Sequence, residues 1–223
     1  MRRTIIFDLD GTLLNTLEDL ADAVNYALRQ YHLPTHPYEA IRMMVGNGVR
    51  NLVIRAVGSE EHPQFEEIFA CFRSYYVEHC QVKTCLYDGL AEVLEHLRRE
   101  GYRMAIVSNK LQAGVTELQH IYFEGLIDVA IGEREGISRK PAPDMVNAAL
   151  RELCREGESI DDVRADAVYV GDSDVDILTA QNAGMPCISV LWGFRDEAFL
   201  CQHGATLLLR APKDLPELLR TME

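Results

Sequence analysis

Basic residues are scarce in this sequence of 223 amino acids. Lys and Arg together number 22 against 35 Asp and Glu, which gives a formal net charge of −13. We do not expect so acidic a chain to bind nucleic acid, because that requires a basic surface that displaces counterions from the phosphates. A small anionic substrate is still compatible with the composition, since one local cation can reverse the field inside a cleft.

Long apolar segments are also missing. The opening apolar run at 4–7 is followed at once by Asp8 and Asp10, whereas a signal peptide needs a longer uncharged stretch and a membrane span needs about 20 apolar residues. The six cysteines form no CxxC pair. We therefore expect a cytoplasmic protein with reduced thiols and no membrane association. Nothing in the sequence indicates an oligomeric state.

The chain does have the composition of a globular domain, with 48% hydrophobic and 26% charged residues. Hydrophobic spacing and the Gly and Pro breaks predict its elements. The predicted strands are 4–8, 102–107, 127–131, 167–170, 187–190 and 206–209. The predicted helices are 16–32, 38–57 with a break at 46–48, 64–80, 90–100, 111–121, 143–155, 174–183, a short one at 195–202 and a last one from Pro212.

The order of these elements predicts the architecture. Strands that alternate with helices from residue 89 onward predict a doubly wound, parallel-sheet α/β core. The first strand is separated from the others by about seventy residues of helix, which predicts an all-helical domain inserted after it. The predicted boundaries are 1–15 and 85–223 for the α/β core and 16–84 for the helical cap.

Several polar residues follow the predicted strands at their carboxyl ends, where open parallel sheets bind their ligands. They are Asp8, Asp10 and Thr12; Ser108, Asn109 and Lys110; Arg139 and Lys140; and Asp172, Asp174 and Asp176. Two carboxylates 4 Å apart repel by about 4 kcal/mol at an effective dielectric constant of 20. A hard divalent cation such as Mg²⁺ would relieve that repulsion and leave positions for a phosphate oxygen. The pattern therefore indicates phosphoryl chemistry.

Two structural explanations compete with this one. An EF-hand loop needs Gly at its sixth position and Glu at its twelfth, and neither stretch has them: from Asp8 these positions are Leu13 and Asp19, and from Asp172 they are Ile177 and Ala183. Alternatively, Asp172 or Asp174 could simply cap the helix at 174–183. A cap explains one acid but not the whole acidic cluster.

Four motifs in this order resemble those of the haloacid dehalogenase superfamily, and within it the phosphoglycolate-phosphatase-like branch. They are the DxDGT segment at 8–12, Ser108 in VSNK, Lys140 in RKPAPDM, and the GDSxxD segment at 171–176 that continues to an AG pair at 183–184. The resemblance covers nearly the whole chain. Asn15, where that branch often has Asp, is a departure outside the four motifs.

The resemblance implies a role for each carboxylate. Asp8 is expected to be the nucleophile, and Asp10 the general acid and base. Asp8, the Asp10 backbone carbonyl, Asp172 and Asp176 are expected to bind Mg²⁺, with Asp172 as the main further protein ligand and Asp176 acting directly or through water.

The resemblance also implies substrate contacts. Ser108, Asn109 and Thr12 are expected to hold the phosphoryl group, while Lys140 offsets its charge. The break at Gly46, Asn47 and Gly48 is the candidate specificity segment of the cap, although it could equally be a turn between two helices. The arginines at 42, 50 and 55 are candidates for contact with the substrate. Lys110 is expected to be a solvated charge at a helix start, and Asp174 to lie near the surface.

These implications describe a Mg²⁺-dependent phosphomonoesterase for a small phosphorylated metabolite, with 2-phosphoglycolate as the preferred candidate. An inorganic pyrophosphatase and a phosphosugar mutase or phosphatase of the same superfamily are the alternative enzymes. A metal-binding regulatory protein without turnover is the alternative that is not an enzyme.

Overall fold

The computed structural model describes residues 3–46 and 48–222, and the chain divides into two compact units. The first unit comprises Met1–Leu13 and Leu86–Glu223, and the second comprises Leu14–Cys85. The second unit is therefore an insertion into the first.

The first unit contains a parallel sheet of six strands. The strands of the chain are β1 (Thr4–Phe7), β2 (Leu14–Asn15), β3 (Cys85–Leu86), β4 (Arg103–Leu111), β5 (Val129–Glu133), β6 (Ala167–Gly171), β7 (Cys187–Val190) and β8 (Leu207–Leu209). The six-stranded sheet has the order β5-β4-β1-β6-β7-β8, and its neighbouring strands all run parallel. The short strands β2 and β3 pair separately.

Strand β1 lies in the middle of this sheet and is buried along its whole length. A strand covered on both faces is apolar without alternation, which explains the unbroken run at 4–7. Ile6 from β1, Val107 from β4, Tyr169 from β6 and Met145 from the helix that begins at Asp144 belong to one buried cluster. The first strand in sequence is thus the centre of the core.

The second unit is helical. Its helices are α1 (Leu17–Gln30), α2 (Tyr38–Met44), α3 (Val49–Val57) and α4 (Phe65–His79). Helices α1 and α4 pack against each other, with the rings of Tyr26 and Tyr75 stacked at 4.0 Å. The predicted break at 46–48 separates α2 from α3, as expected from two glycines.

The helices of the first unit follow the predicted alternation. They are α5 (Leu90–Arg99), α6 (Gln112–Phe123), α7 (Asp144–Leu153), α8 (Ile160–Ala165), α9 (Asp174–Asn182), α10 (Glu197–Gln202) and α11 (Leu215–Thr221), with a 3₁₀ turn at Pro212–Asp214. The α/β fold class is confirmed. Among the helices of 3–46 and 48–222, none is both long and apolar enough to cross a bilayer.

The short strands β2 and β3 were not predicted, and the strand predicted at 127–131 lies at Val129–Glu133. Two further differences concern β4 and a short helix. Strand β4 continues to Leu111, beyond the predicted end at 107, because β5 pairs with it again at Glu133 after a register shift. The other difference is α8, a six-residue helix that is too short to show a helical period. Its N-cap Ser159 and Asp162 form a reciprocal capping box, which is the signal that marks its start.

Candidate active site

The carboxyl ends of three neighbouring strands bring the predicted residues to one edge of the sheet. Phe7 at the end of β1 is level with Ile106 of β4 and with Val170 of β6. The backbone N–H of Asp8 donates to the Val170 carbonyl at 2.9 Å, which extends the ladder by one residue. Asp8 and Asp172 therefore lie at the same edge, although they are 164 positions apart in the sequence.

Three buried carboxylates form a cluster at this edge. Asp8, Asp172 and Asp176 each offer one oxygen, and these oxygens lie within 4.8 Å of one another. Asp8 follows β1 and Asp172 follows β6, whereas Asp176 comes from the first turn of α9. Proximity of this kind is costly for ionised carboxylates unless positive charge lies beside them.

Asp172 is held from two sides. Its Oδ2 accepts a hydrogen bond from the Phe194 backbone N–H at 2.7 Å, and its Oδ1 accepts one from the Thr12 hydroxyl at 3.3 Å. Gly11 and Gly193 pack directly on this side chain, since a Cβ at either position would overlap Asp172. Gly11 also has a φ of 93°, which favours glycine. Both glycines let the backbone approach the carboxylate closely.

Lys140 supplies the positive charge inside the cluster. Its ammonium donates to Asp8 Oδ1 at 2.6 Å and to Asp176 Oδ1 at 2.9 Å. It also donates to the Tyr169 hydroxyl at 3.1 Å. The Asn109 side chain fixes the backbone of Lys140 by accepting from its N–H at 2.9 Å and donating to its carbonyl at 3.0 Å. Asn109 therefore positions the loop that carries the lysine.

Asp176 has a structural contact as well. Its Oδ2 accepts from the N–H and the hydroxyl of Ser173, which is the N-cap of α9. The alternative that Asp172 or Asp174 caps this helix is therefore wrong. Because Oδ1 of Asp176 faces Lys140 and the Tyr169 hydroxyl, the capping contact fixes a carboxylate that belongs to the cluster.

The cluster carries an excess of negative charge. With all three carboxylates ionised, the cluster and the Lys140 ammonium would carry a net charge of −2. Burial raises the pKa of Asp172 to about 7, and the neighbouring Asp176 charge adds to the rise. Burial and Asp176 likewise raise the pKa of Asp8 well above its ordinary value, against the opposing effect of Lys140.

Lys140 nevertheless stays charged. Burial by itself lowers the pKa of an ammonium, but the charges of Asp176 and Asp8 outweigh it and raise the pKa of Lys140 well above its ordinary value. One lysine still does not neutralise three acids. The donor set consists of carboxylate oxygens, which a hard divalent cation prefers, so the residues present fit such an ion.

A second ion pair contradicts one sequence prediction. Lys110 is not a solvated charge at a helix start: it belongs to β4 and is only 8% exposed. Its ammonium donates to both carboxylate oxygens of Asp10, at 3.0 and 3.2 Å. The extension of β4 beyond its predicted end accounts for the difference, because it places Lys110 in the sheet.

Two of the predicted phosphoryl contacts have protein partners. The buried Ser108 hydroxyl accepts from the Lys110 backbone N–H at 3.2 Å. The Thr12 hydroxyl donates to Asp172, and its carbonyl accepts from the Trp192 indole at 3.0 Å. Thr12 therefore supports the carboxylate cluster.

The predicted specificity segment lies in the helical unit. Gly46 and Gly48 have φ values of 120° and 85°, and Asn47 lies outside the described residues. Arg55 donates to the carbonyls of Met44 at 2.6 Å and Gly46 at 3.1 Å, so it braces this turn. The other two candidate arginines pair with acids of the same unit, Arg50 with Glu60 and Glu66, and Arg42 with Glu39.

Sequence reasoning missed the part played by Tyr169. This residue lies in the buried strand β6, where a hydroxyl needs a polar partner. A tyrosine inside an otherwise apolar central strand was the available signal. Its hydroxyl bridges Lys140 and Asp176, so it belongs to the site.

The family model and the most similar relatives point to the same protein family. The model of the haloacid dehalogenase-like hydrolase family matches residues 5–190. The chain is 35% identical to a phosphoglycolate phosphatase of Rhodobacter capsulatus over 200 residues, covering 87% of each chain. It is 32% identical to a phosphoglycolate phosphatase of Aquifex aeolicus over 193 residues, covering 86% of each.

A solved structure agrees over almost the entire length. It comes from Lactobacillus delbrueckii subsp. bulgaricus and has a provisional name as a phosphoglycolate phosphatase. The match has a TM-score of 0.90 and 36% identity, and it covers 98% of this chain and 99% of that one. This chain therefore belongs to the haloacid dehalogenase-like hydrolase family and is one of its phosphatases.

Proposed function

We propose that this protein hydrolyses a small phosphomonoester, with 2-phosphoglycolate as the favoured substrate, through a Mg²⁺-dependent aspartyl-phosphate mechanism. The observation that carries the proposal is the position of Asp8. Lys140 binds one of its oxygens at 2.6 Å, inside a cluster with Asp172 and Asp176. An acid held by a lysine in a cation site is suited to attack phosphorus.

The metal would be held by Asp8, Asp172 and the Asp10 backbone carbonyl, with Asp176 in direct or water-mediated contact. The bound ion would offset negative charge on the phosphoryl oxygens. Lys140 offsets further charge at Asp8, and its positive charge is maintained by its two carboxylate partners.

Asp8 forms the covalent intermediate. One Asp8 oxygen attacks phosphorus, the new P–O bond forms, and the bond from phosphorus to the ester oxygen breaks. The leaving alkoxide takes its proton from the Asp10 carboxyl. The product alcohol then departs and Asp8 is a mixed anhydride of phosphate.

Water completes the cycle. The Asp10 carboxylate takes a proton from a water molecule as the water oxygen attacks phosphorus. The bond between phosphorus and Asp8 breaks, inorganic phosphate is released, and both acids return to their starting states. Splitting the reaction in this way replaces one difficult displacement by two easier ones.

Three further residues have proposed roles around the phosphoryl group. The Ser108 hydroxyl and the Asn109 backbone amide donate to its oxygens. The Asn109 side chain acts through Lys140, which it holds in place. Thr12 acts through Asp172, to which its hydroxyl donates.

The substrate class rests on the relatives. Those named above are called phosphoglycolate phosphatases and are covered nearly end to end. We assign recognition of the non-phosphate part of the substrate to the turn at 46–48. Gly48→Ala strains a backbone with φ of 85°. It should therefore raise KM for 2-phosphoglycolate more than for 4-nitrophenyl phosphate, which lacks the substrate carboxylate.

A substrate panel tests the proposal. Phosphate release is measured from 2-phosphoglycolate, sugar phosphates, nucleotides and pyrophosphate, with Mg²⁺ and with EDTA. The proposal expects the highest kcat/KM for 2-phosphoglycolate and no release in EDTA. A clear preference for pyrophosphate would assign a pyrophosphatase instead, and conversion of one sugar phosphate to its isomer would assign a mutase.

The covalent step has its own assay. Borohydride added to an acid-quenched reaction reduces an aspartyl-phosphate at Asp8 to homoserine, which peptide mass spectrometry detects. The matched control is Asp174→Asn, which changes an acid next to the carboxylate cluster but outside it and should leave the labelling at Asp8 unchanged. Labelling at any residue other than Asp8, or none during active turnover, would contradict the mechanism.

A further inference from the structure

Lys110 is a buried lysine at the active-site edge that no role above uses. Its side chain is 7% exposed, and that of its partner Asp10 is 20% exposed. The ammonium contacts both oxygens of the carboxylate, at 3.0 and 3.2 Å. Contact with both oxygens restricts rotation of the carboxylate as well as its position.

The sheet fixes the backbone of Lys110. Strand β4 is paired with β5 as far as Leu111. Just beyond it, the Gln112 side chain accepts from the Gly132 N–H at 2.8 Å and donates to the Ala130 carbonyl at 2.9 Å. The backbone that carries Lys110 is therefore held in the sheet.

The stem of the lysine is also confined. A Cβ at Gly114 would lie 3.4 Å from Lys110 Cδ and 3.5 Å from Cγ, so the aliphatic chain passes close to this glycine of α6. With its backbone held by β5 and its stem against Gly114, the ammonium reaches Asp10 from a defined direction. A side chain fixed in this way can hold the Asp10 carboxylate in one orientation.

We propose that Lys110 is a positioning residue: it orients the Asp10 carboxyl group for proton transfer to the leaving oxygen of the substrate, and its ammonium stabilises the carboxylate that remains when the proton has left. The inference rests on the proposed function, in which Asp10 donates that proton. Lys110 acts through Asp10, and its pair with Asp10 is separate from the pair of Lys140 with Asp8. Each of the two reacting acids thus has its own lysine.

This role has a signature that depends on the leaving group. Departure of an alkoxide needs a proton from Asp10, whereas 4-nitrophenolate is a weak base that leaves without one. Loss of the Asp10 orientation should therefore slow the cleavage of alkyl phosphates and leave the cleavage of 4-nitrophenyl phosphate almost unchanged. The ratio kcat/KM reports this step, because it covers the reaction only up to release of the first product.

The experiment compares kcat/KM for 2-phosphoglycolate and 4-nitrophenyl phosphate in the whole protein with Mg²⁺. Lys110→Met should lower the value about 50-fold for the alkyl ester and at most about 3-fold for the aryl ester. Lys110→Arg, which keeps the charge, should recover most of the loss. Lys213→Met, at an exposed lysine of the same unit, should change neither value.

Two further measurements keep the result decisive. In an Asp10→Asn background, Lys110→Met should add no further discrimination between the esters, because the group it positions is gone. Equal loss for both esters in Lys110→Met would overturn the inference and indicate a contact with the phosphoryl group. A wild-type protein that hydrolyses neither ester would overturn the proposed function, and the inference with it.

Discussion

Each of the two units contains a buried carboxylate site, and the two sites are built in opposite ways. In the helical unit, Asp19 is 3% exposed. Its oxygens accept hydrogen bonds from the backbone N–H groups of Lys83 and Thr84 and from the Thr84 hydroxyl, at 2.8 to 3.1 Å. In the α/β unit, Asp8, Asp172 and Asp176 face one another around Lys140.

The difference distinguishes an acid whose charge the fold satisfies from acids whose charges the fold crowds together. Asp19 is surrounded by donors that exist in the fold already, so its charge stabilises the chain segment at 83–84. The carboxylates at 8, 172 and 176 crowd their negative charge and raise the pKa of Asp8 and Asp172. We expect such a site to lower the stability of the metal-free protein and to favour the binding of a cation.

Replacing the proposed nucleophile should have the largest effect. Asp8→Asn keeps the size of the side chain but removes the attacking oxygen anion, so kcat should fall on the order of 10⁴-fold. The variant should still fold, because the substitution removes one negative charge from a site where negative charges repel one another. Phosphate release and circular dichroism measure the two effects. Asp19→Asn is the matched control, and it should retain most of the wild-type kcat.

Removing the structural acid should have the next largest effect. Asp19→Ala leaves the N–H groups of Lys83 and Thr84 without their acceptor, so the free energy of unfolding should fall by about 3 kcal/mol. Urea denaturation followed by circular dichroism measures this. Asp19→Asn should lose less, since it keeps one acceptor oxygen. A stability equal to wild type in both variants would remove the contrast between the two sites.

Much of this contrast could be anticipated from the sequence, and part of it could not. The segments at 8–12 and 171–176 follow strands, and parallel topology brings such ends together. Asp19 has no comparable signal, because it lies on α1 with helical spacing and its partners Lys83 and Thr84 are 64 and 65 positions away. Lys110 was misread because the pairing that extends β4 beyond 107 depends on β5, a non-local partner.

The smallest effect concerns stability without metal. Asp172→Asn removes one charge from the cluster, and the amide can still accept from the Phe194 N–H. The metal-free variant should therefore be more stable than metal-free wild type, by about 1 kcal/mol at pH 7. Urea denaturation in EDTA measures the difference. Destabilisation by Asp172→Asn, as expected for Asp19→Asn, would make Asp172 another structural acid.

Calorimetric titration of Mg²⁺ into the metal-free protein tests the central claim most directly. The account predicts one-site binding to the wild type and to Asp19→Asn, and at least about 10-fold weaker binding to Asp172→Asn. Binding of equal strength to all three proteins, or none to the wild type, would contradict the assignment of the crowded carboxylates as a cation site.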